Sequence, residues 1–113
     1  MKTIFKYPIE IERIGADAAG DATVMKNIIG LLEVLSITKQ REDVVLYALV
    51  DTNSKKTSQI KVTVCGTGFP NTVNLDKMKY AGTLGFQEDS FMFHFFYEIV
   101  REFNNETFVK NKE

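Results

Sequence analysis

Short runs of alternating apolar and polar residues recur along this chain, and a period of two is typical of half-buried β-strands. The first run, Thr3–Ile11, places every second residue from Phe5 to Ile11 on one face. Pro8 lies inside this run and lacks the N–H that a sheet ladder needs. We therefore predict that the first strand lies at the edge of a sheet.

The next segment mixes loop and strand signals. Residues 15–21 are small and polar, which predicts a loop, and residues 23–27 are compatible with either a short strand or one helical turn. Ile29–Thr38 is apolar and suits a strand or a helix. Because Gly30 would interrupt a helix, we favour a strand here.

Val44–Asp51 carries apolar residues on both of its faces. This pattern is typical of a central strand buried on both sides, or of a strand with one face in an oligomer interface. Residues 52–57 are polar, and Ser58–Cys65 is again rich in β-branched residues. The sequence predicts that these two strands pair as a hairpin.

A second hairpin is predicted from Lys79–Phe86 and Ser90–Tyr97, with its turn at residues 87–89. From Glu98 onward the alternation stops, which favours a short helix. The final residues, 104–113, are polar, and we expect them to fray.

These elements predict a mainly β fold in one domain, residues 1–103, because 113 residues are too few for a second core. The expected architecture is a small antiparallel curled sheet or partly open barrel of about six strands, with a short C-terminal helix.

The strand at residues 90–97 is apolar on both faces. One face carries three phenylalanines and a tyrosine, and the other carries Met92, His94 and Phe96. A small domain has difficulty covering both faces of this strand and of Val44–Asp51. We therefore expect a homo-oligomer.

Composition excludes several classes of protein. The net charge is −1, whereas a general nucleic-acid binder needs a basic excess to neutralise phosphates. No apolar run is long enough to span a membrane, and the first residues lack a signal-peptide pattern. Cys65 is the only cysteine, which excludes an intramolecular disulfide and suits a reducing cytoplasm.

Enzyme chemistry has few candidate residues in this sequence. One cysteine and one histidine are too few for a zinc site, and we expect no bound metal and no cofactor. Cys65 and His94 form the one nucleophile–base pair available to a hydrolase. A buried thiol and a histidine within a sheet explain them better, so we predict no catalytic residues.

The turn at Gly66-Thr67-Gly68 follows a β-branched run and is the strongest candidate for a binding site. Successive backbone N–H groups in such a turn can hold a phosphate or carboxylate, although two glycines also serve as a simple strand exit. Lys61, Lys77, Lys79 and Arg101 are cations available to complete an anionic site. The candidate ligand-binding residues are Gly66, Thr67, Gly68, Phe69, Lys61, Lys79, His94 and Arg101.

Five motifs resemble, in the same order, a family of small uncharacterised bacteriophage and prophage proteins. That family has an M-K-T-I-aromatic-K-Y start, an A-L-V-D strand, a G-T-G-x-P turn, a Y-x-G-T strand and a closing F-H-x-F strand. The chain carries these at residues 1–7, 48–51, 66–70, 80–83 and 93–96. It departs from the family pattern at residues 15–21, in the link at 71–78 and after Glu98.

The resemblance implies a phage origin and a shared fold, and it transfers no catalytic residue. Small phage proteins of this kind block or divert host machinery. We therefore expect a non-catalytic accessory protein of the host cytoplasm, with an anti-defence role. It would either sequester a small anionic or nucleotide signal, or bind and inhibit a host protein. The alternatives are a structural or assembly component of the virion and a Cys–His hydrolase.

Overall fold

The computed structural model describes residues 1–10, 22–68 and 74–104, and these residues are almost entirely β-strand. The predicted mainly β class is confirmed. The predicted loop at 15–21, the turn residues Phe69 and Pro70, and the predicted tail beyond Asn104 lie outside the described residues.

The described residues form seven strands in two antiparallel sheets that do not close into a barrel. The strands are β1 (Lys2–Ile9), β2 (Ala22–Ile29), β3 (Leu31–Gln40), β4 (Asp43–Asp51), β5 (Lys56–Gly66), β6 (Lys79–Phe86) and β7 (Phe91–Asn104). One sheet has the order β1–β4–β3 and the other β2–β5–β7–β6, and a single-turn 3-10 helix, Leu75–Lys77, precedes β6.

Several predicted strand positions are confirmed. β1 pairs only with β4, so Pro8 lies on an edge strand, and β4 is the central strand of its sheet. β6 and β7 form the predicted hairpin, whose turn residues Gln87, Glu88 and Asp89 all have positive φ. The additional strand is β2, where the sequence left strand and helical turn open.

The predicted hairpin of β4 with β5 is wrong. β4 pairs with β1 and β3, whereas β5 pairs with β2 and β7 in the other sheet. The connection from Asp51 to Lys56 therefore crosses between sheets. A polar loop between two β-branched runs does not distinguish a hairpin from such a crossing, because both need the same solvated residues.

Gly30 connects β2 to β3, and it lies between Asp51 and Lys56, the two ends of the β4–β5 connection. Its N–H donates to the carbonyl of Lys56 at 2.7 Å, and its carbonyl accepts from the N–H of Asp51 at 2.8 Å. Its φ is +75°, and a Cβ at this position would lie 2.3 Å from the Asp51 oxygen. Glycine is the residue that meets both requirements. The β2–β3 and β4–β5 crossings are thus held side by side.

The predicted short C-terminal helix is also wrong, because β7 continues as a strand to Asn104. β7 pairs with β5 along this whole length, and Asn104 lies opposite Lys56. A bulge shifts the register between Ile99 and Arg101, since Gln59 pairs with Arg101 and Ile60 with Ile99. The extra residue interrupts the alternation, which is the signal that favoured a helix.

The core lies between the inner faces of the two sheets. Leu46 and Ala48 of β4 face Val62 of β5 and Phe95 of β7, and all four side chains are fully buried. Each large side chain of this kind contributes about 1.5–3 kcal/mol to the free energy of unfolding. The sheets approach closely at Gly82 of β6, where a Cβ would lie 2.4 Å from the carbonyl oxygen of Ile37.

Candidate functional site

The turn after β5 places predicted site residues against β7. Gly66 is the last residue of β5 and pairs with Phe93. Thr67 donates its backbone N–H and its hydroxyl to the carbonyl oxygen of Met92, each at 3.2 Å. Gly68 has a φ of +82°, and a Cβ there would meet no described atom within 4 Å. The N–H of Thr67 is thus used within the fold and does not point to an anion.

His94 joins this turn to β6 through two threonine hydroxyls. Its Nε2 lies 2.7 Å from the Oγ1 of Thr67, and its Nδ1 lies 3.0 Å from the Oγ1 of Thr83. The hydroxyl of Tyr80 lies 2.5 Å from the same Thr83 oxygen. Thr83 and His94 share a face because they are register partners. We call these four residues the His94 chain.

The hydrogen-bond partners of His94 determine which of its ring nitrogens carries the proton. The one hydroxyl hydrogen of Thr67 goes to the Met92 carbonyl, so the Thr67 oxygen accepts from Nε2–H. In neutral imidazole Nδ1 is then the acceptor, and it takes the hydroxyl hydrogen of Thr83. Thr83 accepts in turn from the exposed Tyr80 hydroxyl. Every member is satisfied with His94 neutral and protonated on Nε2.

Cys65 lies opposite His94 in the β5–β7 register, on the same face of the sheet. A Cys–His hydrolase needs a histidine nitrogen that takes the proton of the thiol. Both nitrogens of His94 already contact threonine hydroxyls, and Cys65 is only 3% exposed. Activated cysteines are partly exposed and lie beside a base, so this arrangement does not fit nucleophilic catalysis.

Two of the predicted cations lie away from the turn. The Nζ of Lys61 lies 3.7 Å from a carboxylate oxygen of Glu98. Arg101 follows His94 by seven residues on β7, which is about 23 Å along an extended strand. Its guanidinium lies 4.9 Å from the ring centroid of Phe103. Lys61 is therefore neutralised by an ion pair, and Arg101 is too distant to share an anion with His94.

Lys79 lies on the other face of the four-stranded sheet, because it pairs with Tyr97 after a bulge between Tyr80 and Gly82 has shifted the alternation of β6. The structure therefore brings Gly66, Thr67, Gly68 and His94 together and separates them from the three cations. Phe69 lies outside the described residues.

A groove of about 500 Å³ opens beside Lys79, between the first residues of β3 and β6. The two strands touch farther along, where Gly82 packs on Ile37 and the Nζ of Lys39 donates to the Gly85 carbonyl at 3.0 Å. We call this the Tyr97 groove. Its lining includes Leu31, Glu33, Val34, Lys77, Lys79 and Tyr97.

Two exposed lysines, Lys77 and Lys79, line this groove. Neither has an ion-pair or hydrogen-bond partner within the described part of the chain. By contrast, Lys56 pairs with Glu102, and Lys61 pairs with Glu98. Two neighbouring positive charges repel each other, and an anion between them relieves that repulsion. This side of the groove therefore favours a negatively charged group.

Tyr97 contributes a half-buried aromatic ring to the groove, beside the apolar side chains of Leu31 and Val34. Burial raises the pKa of the Tyr97 hydroxyl, and the negative charge of Glu33 raises it further. Glu33 belongs to the other sheet, so its carboxylate acts on Tyr97 across the groove. The groove thus combines an apolar aromatic surface with charged side chains that can orient a small ligand.

Sequence reasoning missed Glu33 and Tyr97 as site residues. Lys77 and Lys79 were recognisable as neighbouring cations, but Glu33 reaches them only through the packing of one sheet on the other. Tyr97 is indistinguishable in sequence from the other aromatic residues of β7. A charge placed between Leu32 and Val34 in an otherwise apolar strand was the one available signal.

Two further features are absent from the described residues. Within residues 1–10, 22–68 and 74–104, no group of three His, Cys, Asp or Glu residues is placed to hold a metal ion. In the same ranges no helix is long and apolar enough to cross a membrane.

Comparison with known proteins gives one match. No curated protein and no solved structure matches the chain. Residues 1–105 match the family described as "Domain of unknown function (DUF7352)", and this match includes every strand of both sheets and all residues of the Tyr97 groove. The chain therefore belongs to the DUF7352 family.

Proposed function

We propose that this protein is a phage-encoded accessory protein that binds a small anionic ligand with a flat ring and does not convert it chemically. The observation that carries this proposal is the pair of unpartnered lysines, Lys77 and Lys79, beside the aromatic surface of Tyr97. The phage origin and an anti-defence role in the host cytoplasm rest on the resemblance of the sequence motifs.

The dimensions and chemistry of the groove support a small ligand. Sites for small molecules have volumes of roughly 300–1,000 Å³, and the Tyr97 groove has about 500 Å³. A flat ring stacked on an exposed aromatic face gains about 1–3 kcal/mol. Lys77 and Lys79 provide point charges of the kind that bind phosphate. A nucleotide carries both a ring and a phosphate, so it fits this site well.

Binding without conversion is supported by the state of the titratable groups. His94 is engaged at both nitrogens, and Cys65 is buried on the opposite face of the sheet from the groove. The Tyr97 groove itself offers lysines, carboxylates and a phenol whose pKa is raised. A phenol that is harder to ionise is a poor general base at neutral pH.

Native mass spectrometry of protein purified from a bacterial host tests this function directly. We expect a bound small ligand that is lost in the Lys77→Ala/Lys79→Ala double variant. Lys2→Ala/Lys6→Ala is the matched control, because it removes the same charge from β1, outside the groove. Retention of the ligand by the groove variant would contradict the proposal. So would failure of the protein to bind any of the four nucleoside monophosphates.

A second candidate function is binding of a host protein, and one observation favours it. Ile4 and Phe5 of β1 and Met25 and Ile29 of β2 are all about half exposed, on the edge strands of the two sheets. The same side chains support the proposal of a homo-oligomer. Light scattering during gel filtration tests self-association, and Ile4→Glu or Ile29→Glu should shift an oligomer to the monomer mass. A monomeric wild-type protein would contradict the oligomer.

A further inference from the structure

Glu33 lies across the Tyr97 groove from the lysines. It belongs to β3, next to a register shift between Leu31 and Glu33 that turns this part of the strand relative to β4. Glu33 and Tyr97 line the same groove, and the negative charge of Glu33 adds to burial in raising the pKa of the Tyr97 hydroxyl. One groove is therefore lined by Glu33 from the three-stranded sheet, by Lys79 and Tyr97 from the four-stranded sheet, and by Lys77 from the 3-10 helix.

These opposite charges do not pair with one another. Within the described residues, no nitrogen of Lys77 or Lys79 comes within 4.0 Å of a Glu33 oxygen, although all three side chains line the same groove. Elsewhere on the described surface, Lys61 reaches Glu98 and Lys56 reaches Glu102. Glu98 also lines the groove but is already paired with Lys61, which leaves Glu33, among the described residues, as the unpaired acid beside the two lysines and the Tyr97 ring. An unpaired acid and two unpaired lysines in one groove suit a ligand that spans them. One end of that ligand is anionic, and the other presents N–H donors.

We propose that the Tyr97 groove selects guanine nucleotides, an inference that rests on the proposed function. Guanine presents N1–H and the N2 amino group side by side, so the two oxygens of the Glu33 carboxylate can accept both hydrogens. The base stacks on Tyr97, and the phosphate lies between Lys77 and Lys79.

Other bases match the carboxylate less well. Adenine places an acceptor, N1, beside its amino group, and that acceptor faces a carboxylate oxygen. Uracil places a carbonyl on each side of its single N–H. In each case a ligand acceptor meets a protein acceptor, and an unmatched polar group costs affinity. Inosine monophosphate keeps N1–H and lacks only the N2 amino group. Comparison of GMP with IMP therefore measures the contribution of the N2 hydrogen bond alone.

Isothermal titration of GMP, IMP, AMP and ribose 5-phosphate into the wild-type protein tests this selection. We expect GMP to bind most tightly, IMP about tenfold more weakly and AMP weaker still, since one charge-assisted hydrogen bond is worth about tenfold in affinity. Glu33→Gln should bring the ratio of GMP to AMP affinity close to one, because its amide carries one acceptor where the carboxylate has two. Glu33 is exposed, and thermal unfolding of the variant verifies its fold.

Failure of this inference is distinct from failure of the proposed function. Equal affinity for GMP and AMP, or an unchanged ratio in Glu33→Gln, overturns guanine selection and leaves the binding of nucleotides intact. Absence of binding by all four ligands overturns both. A Glu42→Gln variant is the matched control, because Glu42 is equally an exposed acid but lies outside the groove. Its ratio should equal that of the wild type.

Discussion

The hydroxyl oxygen of Thr67 lies 2.7 Å from Nε2 of His94, while the same hydroxyl donates to the carbonyl of Met92 at 3.2 Å. A threonine hydroxyl has one hydrogen, so these two contacts together determine the direction of the whole His94 chain. A side chain that looks like a candidate base in the sequence is thus a cross-strand connector between β6, β7 and the turn after β5.

In the neutral imidazole of His94 the proton is expected on Nε2. Long-range ¹H–¹⁵N spectra of the imidazole distinguish the two tautomers and provide the measurement. Thr67→Val removes both hydrogen bonds of the Thr67 hydroxyl, to His94 and to Met92, and should destabilise the protein by about 1–3 kcal/mol, the usual contribution of two hydrogen bonds. A wild-type spectrum with the proton on Nδ1 would contradict the assignment.

Gly30→Ala should destabilise the protein more than Gly68→Ala. Both glycines have positive φ, at +75° and +82°, so both variants meet the penalty for a left-handed residue. Only at Gly30 does the added Cβ also meet a backbone oxygen, that of Asp51 at 2.3 Å. Denaturant unfolding should show an extra loss of roughly 1–3 kcal/mol for Gly30→Ala. Equal losses would mean that the crossing relaxes around the new methyl group.

Thr63→Val should stabilise the protein. The Thr63 side chain is fully buried on β5, and its Oγ1 has no hydrogen-bond partner within the described part of the chain. A buried unsatisfied polar group costs about 1–3 kcal/mol, and valine removes that cost at nearly the same shape. Thr57→Val is the matched control. Thr57 is likewise buried on β5, but unlike Thr63 it has an interaction partner in the fold. A gain in the control as large as that at Thr63 would contradict the explanation.

The pKa of Tyr97 should lie above 10.0, its ordinary value, and Glu33→Gln should lower it. Burial disfavours the tyrosinate, and the Glu33 charge adds repulsion, so removing that charge leaves only the effect of burial. Absorbance near 295 nm follows the titration. Tyr7→Phe is the required background, because burial also raises the pKa of Tyr7.

The same shift predicts how stability depends on pH. A phenol whose pKa is raised on folding binds its proton more tightly in the native state, so its contribution is complete below pH 10.0. That contribution is lost as the pH rises through the native pKa. Glu33→Gln should therefore lose less stability above pH 10.0 than the wild type. If both proteins lose the same stability at alkaline pH, Glu33 lies too far from Tyr97 to affect the pKa of its hydroxyl.

Local patterns predicted strands where the alternation continues over several residues. β1 and the first part of β7, Phe91 to Tyr97, follow a period of two, and Pro8 correctly marks an edge strand. The helix after Glu98 was wrong because one bulge residue near Val100 shifts the alternation by one position. The predicted hairpin of β4 with β5 was wrong because the pairing of strands depends on the whole topology. The pattern of apolar residues in one strand indicates only which of its faces are buried.

The candidate site was predictable only in part, for a related reason. Gly66, Thr67 and Gly68 are adjacent in the chain, so their shared turn was visible. The contact of Thr67 with His94 depends on the β5–β7 register, and the approach of Glu33 to Tyr97 depends on how the two sheets pack. When two charged residues belong to different sheets, the sequence does not indicate how far apart they lie.

The two side-by-side crossings at Gly30 also have a consequence for folding kinetics. Only β3–β4 and β6–β7 are pairs of consecutive strands within one sheet, and each belongs to a different sheet. These two hairpins can form early, whereas β1–β4, β2–β5 and β5–β7 must first close long loops. β-proteins with such non-local pairing fold over roughly milliseconds to seconds. Because Gly30 bonds to both Asp51 and Lys56, we expect the two sheets to be completed together, so that refolding proceeds as one slow cooperative step.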